Sequence, residues 1–183
     1  MPPKQVLNKR IILEASLRII EKNGFDALNA RAIASLLHSS TQPIFTYFES
    51  VDSLKEELNN SIYRSFIQSV NPSNGLLQFE MSLLSFANQH PSLFRTLFFS
   101  ERKNQSATKD IIDQNRKVLV TSISKEFNLS KEKANILYLN NWIYSFGLAT
   151  LIMLGNFPYK ESSLRALIKA NIDSSLLVLK KDI

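Results

Sequence analysis

Residues 24–48, GFDALNARAIASLLHSSTQPIFTYF, leave room for little besides a short helix, a tight turn and a second short helix. The first of these starts after Asn29, whose side-chain oxygen can accept from the free backbone N–H groups of the next turn, and it carries Ile33, Ala34 and Leu37. His38 and Ser39 make the turn. The second helix is expected to be capped by Ser40 and to show Thr41, Gln42, Pro43 and Thr46 on its outward side, with Ile44, Phe45 and Phe48 pointing inward. Polar residues in the first turn of a helix with an aromatic inner face suit the major groove of double-stranded DNA.

The rest of the chain reads as helix too. Only four glycines occur and β-branched alternation is scarce, which predicts an all-α fold of about nine helices. A first helix over residues 7–23 places Ile12, Ser16, Ile19 and Ile20 on one face and stops at Gly24. A long fourth helix from about residue 50 carries Leu54, Leu58, Ile62 and Phe66 at four-residue spacing and ends before Asn71-Pro72-Ser73-Asn74-Gly75. That break predicts a helix-turn-helix domain over 1–50, a connecting helix over 51–70 and a second domain over 71–183. Further helices follow Gly75, open at Pro91 with His90 at the cap position, end near Asn128, run from a Ser130 cap to Gly155, and fill residues 160–179. No internal repeat is visible.

Composition narrows the chemistry. With no cysteine there is no disulfide, thiolate metal site or cysteine nucleophile, which fits a reducing cytoplasm. The N-terminus runs directly into an amphipathic helix without the apolar core of a signal peptide. The most apolar run, 142–154, is 13 residues long and contains Ser145, Gly147 and Thr150, so a buried helix is expected and no membrane partner. The net charge of +6 is compatible with a polyanion, but residues 1–55 hold seven Lys or Arg against five Asp or Glu, a net of +2. Per residue the two parts are about equally basic, so the helix-turn-helix pattern carries the DNA expectation. The two histidines fall in different domains, and no phosphate-cradling glycine loop or H-x-x-x-H spacing is present. No catalytic residue, metal or cofactor is expected.

Several matched pieces together resemble the tetracycline-repressor-like (TetR/AcrR) family of transcriptional regulators. Ile12–Leu13 through Ile19–Ile20 with Gly24–Phe25 is similar to the family's first helix and glycine stop; Arg31, Ile33 and Ala34 are similar to its second, and Ser40 through Phe48 to its third, with Leu54 at the family's spacing. The likeness covers roughly the first 55 residues by motif and the remainder by length and pattern. Three positions depart from the family pattern. The usual turn glycine is His38, a residue type that enters left-handed conformations more readily than most. A position that is often glycine is Gln42, followed by Pro43 in the first helical turn, where a missing N–H loses no intrahelical bond. A phosphate-contacting lysine is replaced by Val51, and Lys55, one turn onward, can take its place.

The resemblance implies a dimeric, ligand-responsive regulator, most often a repressor, that binds a palindromic operator. It places the Tyr47 hydroxyl on a phosphate, against a competing role in packing the third helix on the first. Ser40, Thr41, Gln42, Pro43 and Thr46 are DNA-contact candidates by their place on the third helix, against plain solvent-facing residues, Lys55 by its place after Val51, and Arg31 either contacts a phosphate or pairs with a nearby acid. Phe79, Phe86, Phe94, Phe98, Trp142 and Phe146 are the candidate lining of a pocket for an unidentified, mostly apolar effector, against ordinary core packing. The last two helices are apolar over more than one face, and Leu148, Ile152, Leu164, Ile168 and Ile172 are the candidate homodimer contacts. Gly147, in mid-helix, costs about 1 kcal/mol of helix propensity against Ala, which calls for a close helix crossing or pocket space. The alternative function is a helical protein-interaction adaptor with a degenerate helix-turn-helix, supported by Val51 and the modest N-terminal charge.

Overall fold

Local capping chemistry sets where most helices begin and end in the computed structural model, which describes residues 7–99 and 106–181. Among the described residues the regular structure is helical: α1 (Lys9–Asn23), a 3-10 turn (Phe25–Ala27), α2 (Ala30–Leu36), α3 (Gln42–Tyr47), α4 (Val51–Val70), α5 (Leu76–Gln89), α6 (Pro91–Phe99), α7 (Ser106–Phe127), α8 (Lys131–Met153) and α9 (Glu161–Lys181). Asn8, Asn29 and Ser130 cap α1, α2 and α8, each side-chain oxygen accepting from the backbone N–H three residues on. Three helices end alike. His38, Asn128 and Gly155 take positive φ of 49°, 52° and 73°, and the next residue's N–H reaches back five residues to a free carbonyl. His38 therefore performs the turn for which a glycine is the commoner choice.

The chain divides into two compact units, Met1–Tyr63 with Ser92–Glu101 and Arg64–Pro91 with Arg102–Ile183. This departs from the sequence boundary near residue 71 in two ways: the division falls inside α4, and α6 joins the first unit. The reason is local. Ser92 Oγ donates to the Glu21 carbonyl of α1 at 3.2 Å, and Leu93, Phe94 and Leu97 are buried. The core of the first unit is built from Ile12, Ile20, Ile33, Ile44, Leu54 and Leu58, all fully buried.

In the second unit α5 packs most extensively on α8, with α7 and α9 alongside. The N-terminus of α5 is held by Glu126 of α7, whose Oε2 accepts from Leu76 N–H at 3.1 Å. The approach needs Gly75, because a Cβ there would lie 3.2 Å from that oxygen. By length and composition α8 is long and apolar enough to cross a membrane, yet Leu137, Asn141, Ser145 and Ala149 on one of its faces are fully buried within the unit.

The candidate dimer residues need correction at this point. Leu148, Ile152, Leu164, Ile168 and Ile172 are all buried inside the second unit, where they receive α5 and one another's helices. The surplus apolar surface lies on the opposite side: Ile136, Leu139, Ile143, Leu151 and Leu154 of α8, and Leu167, Leu177 and Val178 of α9, are exposed. Gly147 falls in the exposed α8 stripe, and a Cβ there would meet nothing within 4 Å.

One acid is buried in this core. Glu80 of α5 is 0% exposed, and burial pushes its carboxyl up from 4.5 to about 8. Ser145 of α8 lies close enough to oppose the shift weakly, although no hydrogen bond of ordinary geometry joins the two. The Glu80 charge and burial together raise the Tyr138 phenol to about 12, burial being the larger cause, while Arg116 acts in the opposite sense. The folded chain therefore keeps a proton on Glu80 that the unfolded chain gives up, so stability falls as pH rises from 4.5 to about 8 and levels off above that. The expected loss is on the order of several kcal/mol. Denaturant unfolding at pH 5, 6.5 and 8 should show Glu80→Gln gaining on the native chain as pH rises; parallel curves would mean that Glu80 ionises freely in the fold.

Candidate functional site

The helix-turn-helix of the first unit is assembled from α2, the His38 turn and α3. Six residues are too few for a helix to persist unaided, so α3 depends on what it buries. Ile44 is fully buried and Phe48 nearly so, one helical turn apart, and they seat α3 with α1 beneath it. The Phe48 ring also carries the Lys9 ammonium, 5.4 Å from its centroid, and Lys9 Nζ is 2.6 Å from Glu57 Oε2 of α4. The start of α4 is set by a reciprocal serine pair: Ser50 Oγ accepts from Ser53 N–H, and Ser53 Oγ accepts from Ser50 N–H, both at 3.1 Å.

Two details of α3 differ from the sequence expectation. Ser40 does not cap it; the helix starts at Gln42 after Thr41, with no side-chain cap. Pro43 offers no N–H, which removes one of the two donors a Ser40 cap would bind, and Ile44 N–H is taken by the Thr41 carbonyl at 3.1 Å. Phe45 does not point inward. It is 49% exposed, one position away from the Ile44–Phe48 seam, and stands on the outer face with Gln42, Thr46 and Tyr47. Leu36 of α2 is exposed nearby in sequence.

The remaining candidates are placed as follows. The Thr46 hydroxyl donates to the Gln42 carbonyl at 3.2 Å, the back-bond open to a helical threonine, and this fixes its rotamer. The Tyr47 hydroxyl donates to the Leu7 carbonyl at 3.1 Å, which ties α3 to the start of α1, so a phosphate contact would have to exchange for this bond. Arg31, at the second position of α2, is exposed and makes no ion pair among the described residues. Lys55 lies along the first unit with Nζ 5.4 Å from the Phe25 ring, and Val51, the first residue of α4, is half-buried. Glu49 and Asp52, which follow α3 in sequence, are exposed and offset part of the positive charge of the first unit. Phe45 is the residue of this face that helical patterning missed, since an aromatic beside an isoleucine reads as core.

The six aromatics proposed to line one pocket are divided between the units. Phe94 and Phe98 belong to the first, with ring centroids 4.7 Å apart, whereas Phe79, Phe86, Trp142 and Phe146 belong to the second. Along α8 the rings of Tyr138, Trp142 and Phe146 stack in sequence, 6.2 and 5.8 Å between centroids, and Phe79 of α5 leans on Trp142 at 6.2 Å. Beside this ladder are three buried polar atoms without a hydrogen-bond partner: both carboxyl oxygens of Glu80 and the Ser145 hydroxyl. His90 closes α5, its N–H donating to the Phe86 carbonyl at 2.8 Å.

No protein-family model and no curated protein matches the sequence. Solved structures do match over most of their length. A TetR-like transcriptional regulator from Rhodococcus sp. RHA1 superposes with a TM-score of 0.68 at 15% identity, covering 92% of this chain and 94% of that one. A TetR-family protein from Vibrio parahaemolyticus gives 0.64 at 20% identity over 90% and 96%, and a TetR-family transcription regulator from Marinobacter aquaeolei VT8 gives 0.60 at 17% over 90% and 93%. At these identities the likeness is one of fold, and it extends well beyond the helix-turn-helix. The chain therefore has the all-α fold of the TetR-family transcriptional regulators.

Proposed function

We propose that this chain is a DNA-binding transcriptional regulator of the cytoplasm, acting as a dimer on a palindromic operator and released from it by a small, mostly apolar effector. The observation that carries the reading is the outer face of α3, where Gln42, Phe45 and Thr46 stand exposed on a helix seated by Ile44 and Phe48. Gln42 matches the N6/N7 edge of adenine, and the Phe45 ring and Thr46 methyl match the methyl group of thymine. Arg31, Thr41, Pro43, Tyr47 and Lys55 surround this face and are assigned to the phosphate backbone or to the fit of the helix in the groove. Ser40, exposed at the turn, is kept in the same group.

Dimerisation is assigned to the exposed stripes of α8 and α9 in place of the five buried residues. Ile143 is 69% exposed and Leu177 and Val178 65% each, more than a lone surface side chain explains. Gly147 in the middle of the α8 stripe allows two helices to cross closely. Pairing these faces in a four-helix arrangement gives the two-fold symmetry that a palindrome requires. In the second unit, Phe79, Phe86, Trp142 and Phe146 remain the proposed effector lining, and α4, whose residues are shared by the two units, is the covalent route between reading and sensing.

The adaptor reading has its own support: Leu36, Phe45 and Tyr47 expose apolar surface beside Glu49 and Asp52, a combination that also suits a protein partner. Binding to a duplex from the region upstream of the chain's own gene, followed by fluorescence anisotropy across a salt series, separates the two. A regulator loses affinity steeply with salt, and an adaptor shows no duplex binding at any salt.

With such a duplex, Gln42→Ala and Phe45→Ala should each weaken specific binding by about 1–3 kcal/mol while leaving random DNA nearly unchanged. Equal losses on both duplexes would move these residues off the bases. Val51→Lys should tighten both duplexes and steepen the log affinity against log salt slope by about one unit, whereas Lys55→Ala should flatten it if Lys55 already serves the same phosphate. If neither changes the slope, the start of α4 does not face the backbone. In light scattering, Ile143→Glu and Val178→Glu should give a folded monomer, while Ile168→Glu, fully buried, should unfold the chain. A dimer that survives both surface changes would place the interface elsewhere.

A further inference from the structure

We infer that Glu80 and Ser145 are the polar anchor of a ligand site in the second unit, one that takes a small aromatic molecule bearing a protonated primary amine. Such a site presupposes the effector role proposed above and adds to it the chemistry of the effector.

The starting point is an imbalance of donors and acceptors. Both Glu80 oxygens and Ser145 Oγ are buried, and none has a hydrogen-bond partner. A buried polar atom left unsatisfied costs about 1–3 kcal/mol, and a charged one more, so clusters of them are rare unless an occupant completes them. The other buried polar groups in the same two helices and α9 are satisfied. Asn141, one turn before Ser145, donates to the Leu137 carbonyl at 2.9 Å and accepts from Asn171 at 2.8 Å. Nor does Glu80 pair with a cation among the described residues. The nearby Arg116 is engaged elsewhere, with Nη2 2.7 Å from Asn135 Oδ1 and its guanidinium over the Tyr138 ring at 5.9 Å.

The geometry selects among occupants. Ser145 lies close enough to Glu80 to act on its carboxyl, and a primary ammonium has three N–H donors, so a single group can satisfy both Glu80 oxygens and the Ser145 hydroxyl and take the place of the proton that Glu80 otherwise holds. A hydroxyl brings one donor and no charge. An anion brings acceptors and no donor. The Tyr138–Trp142–Phe146 ladder and Phe79 stand beside the anchor, and ring faces attract a desolvated cation and pack an aromatic body. Trp142 and Phe146 are half-buried, so part of the ladder is open to solvent.

Titration calorimetry of the full chain with 2-naphthylmethylamine and with its neutral counterpart 2-naphthylmethanol tests this. The amine is expected to bind about 10- to 100-fold more tightly than the alcohol, the worth of hydrogen bonds to a charged group. Glu80→Gln keeps the size and the neutral state of the protonated side chain and should fold at least as well as the native chain. It should abolish that preference while changing alcohol affinity less than about threefold, and Ser145→Ala should reduce it in part. Equal binding of amine and alcohol, or an amine preference that survives Glu80→Gln, overturns the anchor and leaves an apolar effector site standing. If neither compound binds, the site itself is overturned, while duplex binding by the same sample still decides the regulator reading.

Discussion

The burial of Ile44 and Phe48 is the interaction on which the reading surface depends. A helix of six residues has almost no stability of its own, so the direction in which α3 points is set by what those two side chains enter. Ile12, Ile20 and Ile33 complete the same core, and Lys9 on the Phe48 ring with Glu57 behind it closes the side. Once this seam is fixed, every other side chain of α3 has its place by rotation alone. Gln42, Phe45, Thr46 and Tyr47 face outward because Ile44 and Phe48 do not.

Much of this arrangement was legible in the sequence, for identifiable reasons. Asn29 and Ser130 cap helices because a short polar side chain ahead of an apolar periodic run has little else to do, and His38 makes its turn because the backbone there must be left-handed. The alternation of Leu54, Leu58, Ile62 and Phe66 locates one face of α4 without ambiguity, and all four are buried. Phe45 was not legible. In a helix of six residues, three neighbouring apolar side chains do not define a seam, and only the tertiary core decides which of them it takes. Ser40 does not cap α3, which starts two residues later at Gln42, and Pro43 removes one of the donors such a cap would bind, an effect of a neighbour that a single-position preference does not contain.

The second unit shows the same limit on a larger scale. Helices α8 and α9 are apolar on two sides, so the surplus over what one subunit can bury was readable, but not which side was the surplus. The structure sends Leu148, Ile152, Leu164, Ile168 and Ile172 inward and leaves Ile143, Leu151, Leu177 and Val178 outside. Polar residues mark the difference in hindsight: Asn141, Ser145 and Asn171 lie on the inner side, where the two asparagines pair. Glu80, buried near Ser145, belongs to the same inner surface, and its lack of a hydrogen-bond partner among the described residues separates it from an ordinary structural acid.

The claim that α3 reads DNA is tested most directly by selecting bound duplexes from a random pool with the purified full chain at physiological salt, then repeating the selection with Phe45→Ala and Gln42→Ala together. The expected result is an inverted repeat whose half-sites are centred one or more helical turns apart, with A·T pairs at the positions that lose their preference in the double variant. A pool that shows no enrichment, or the same enriched motif with and without these two side chains, would contradict the claim.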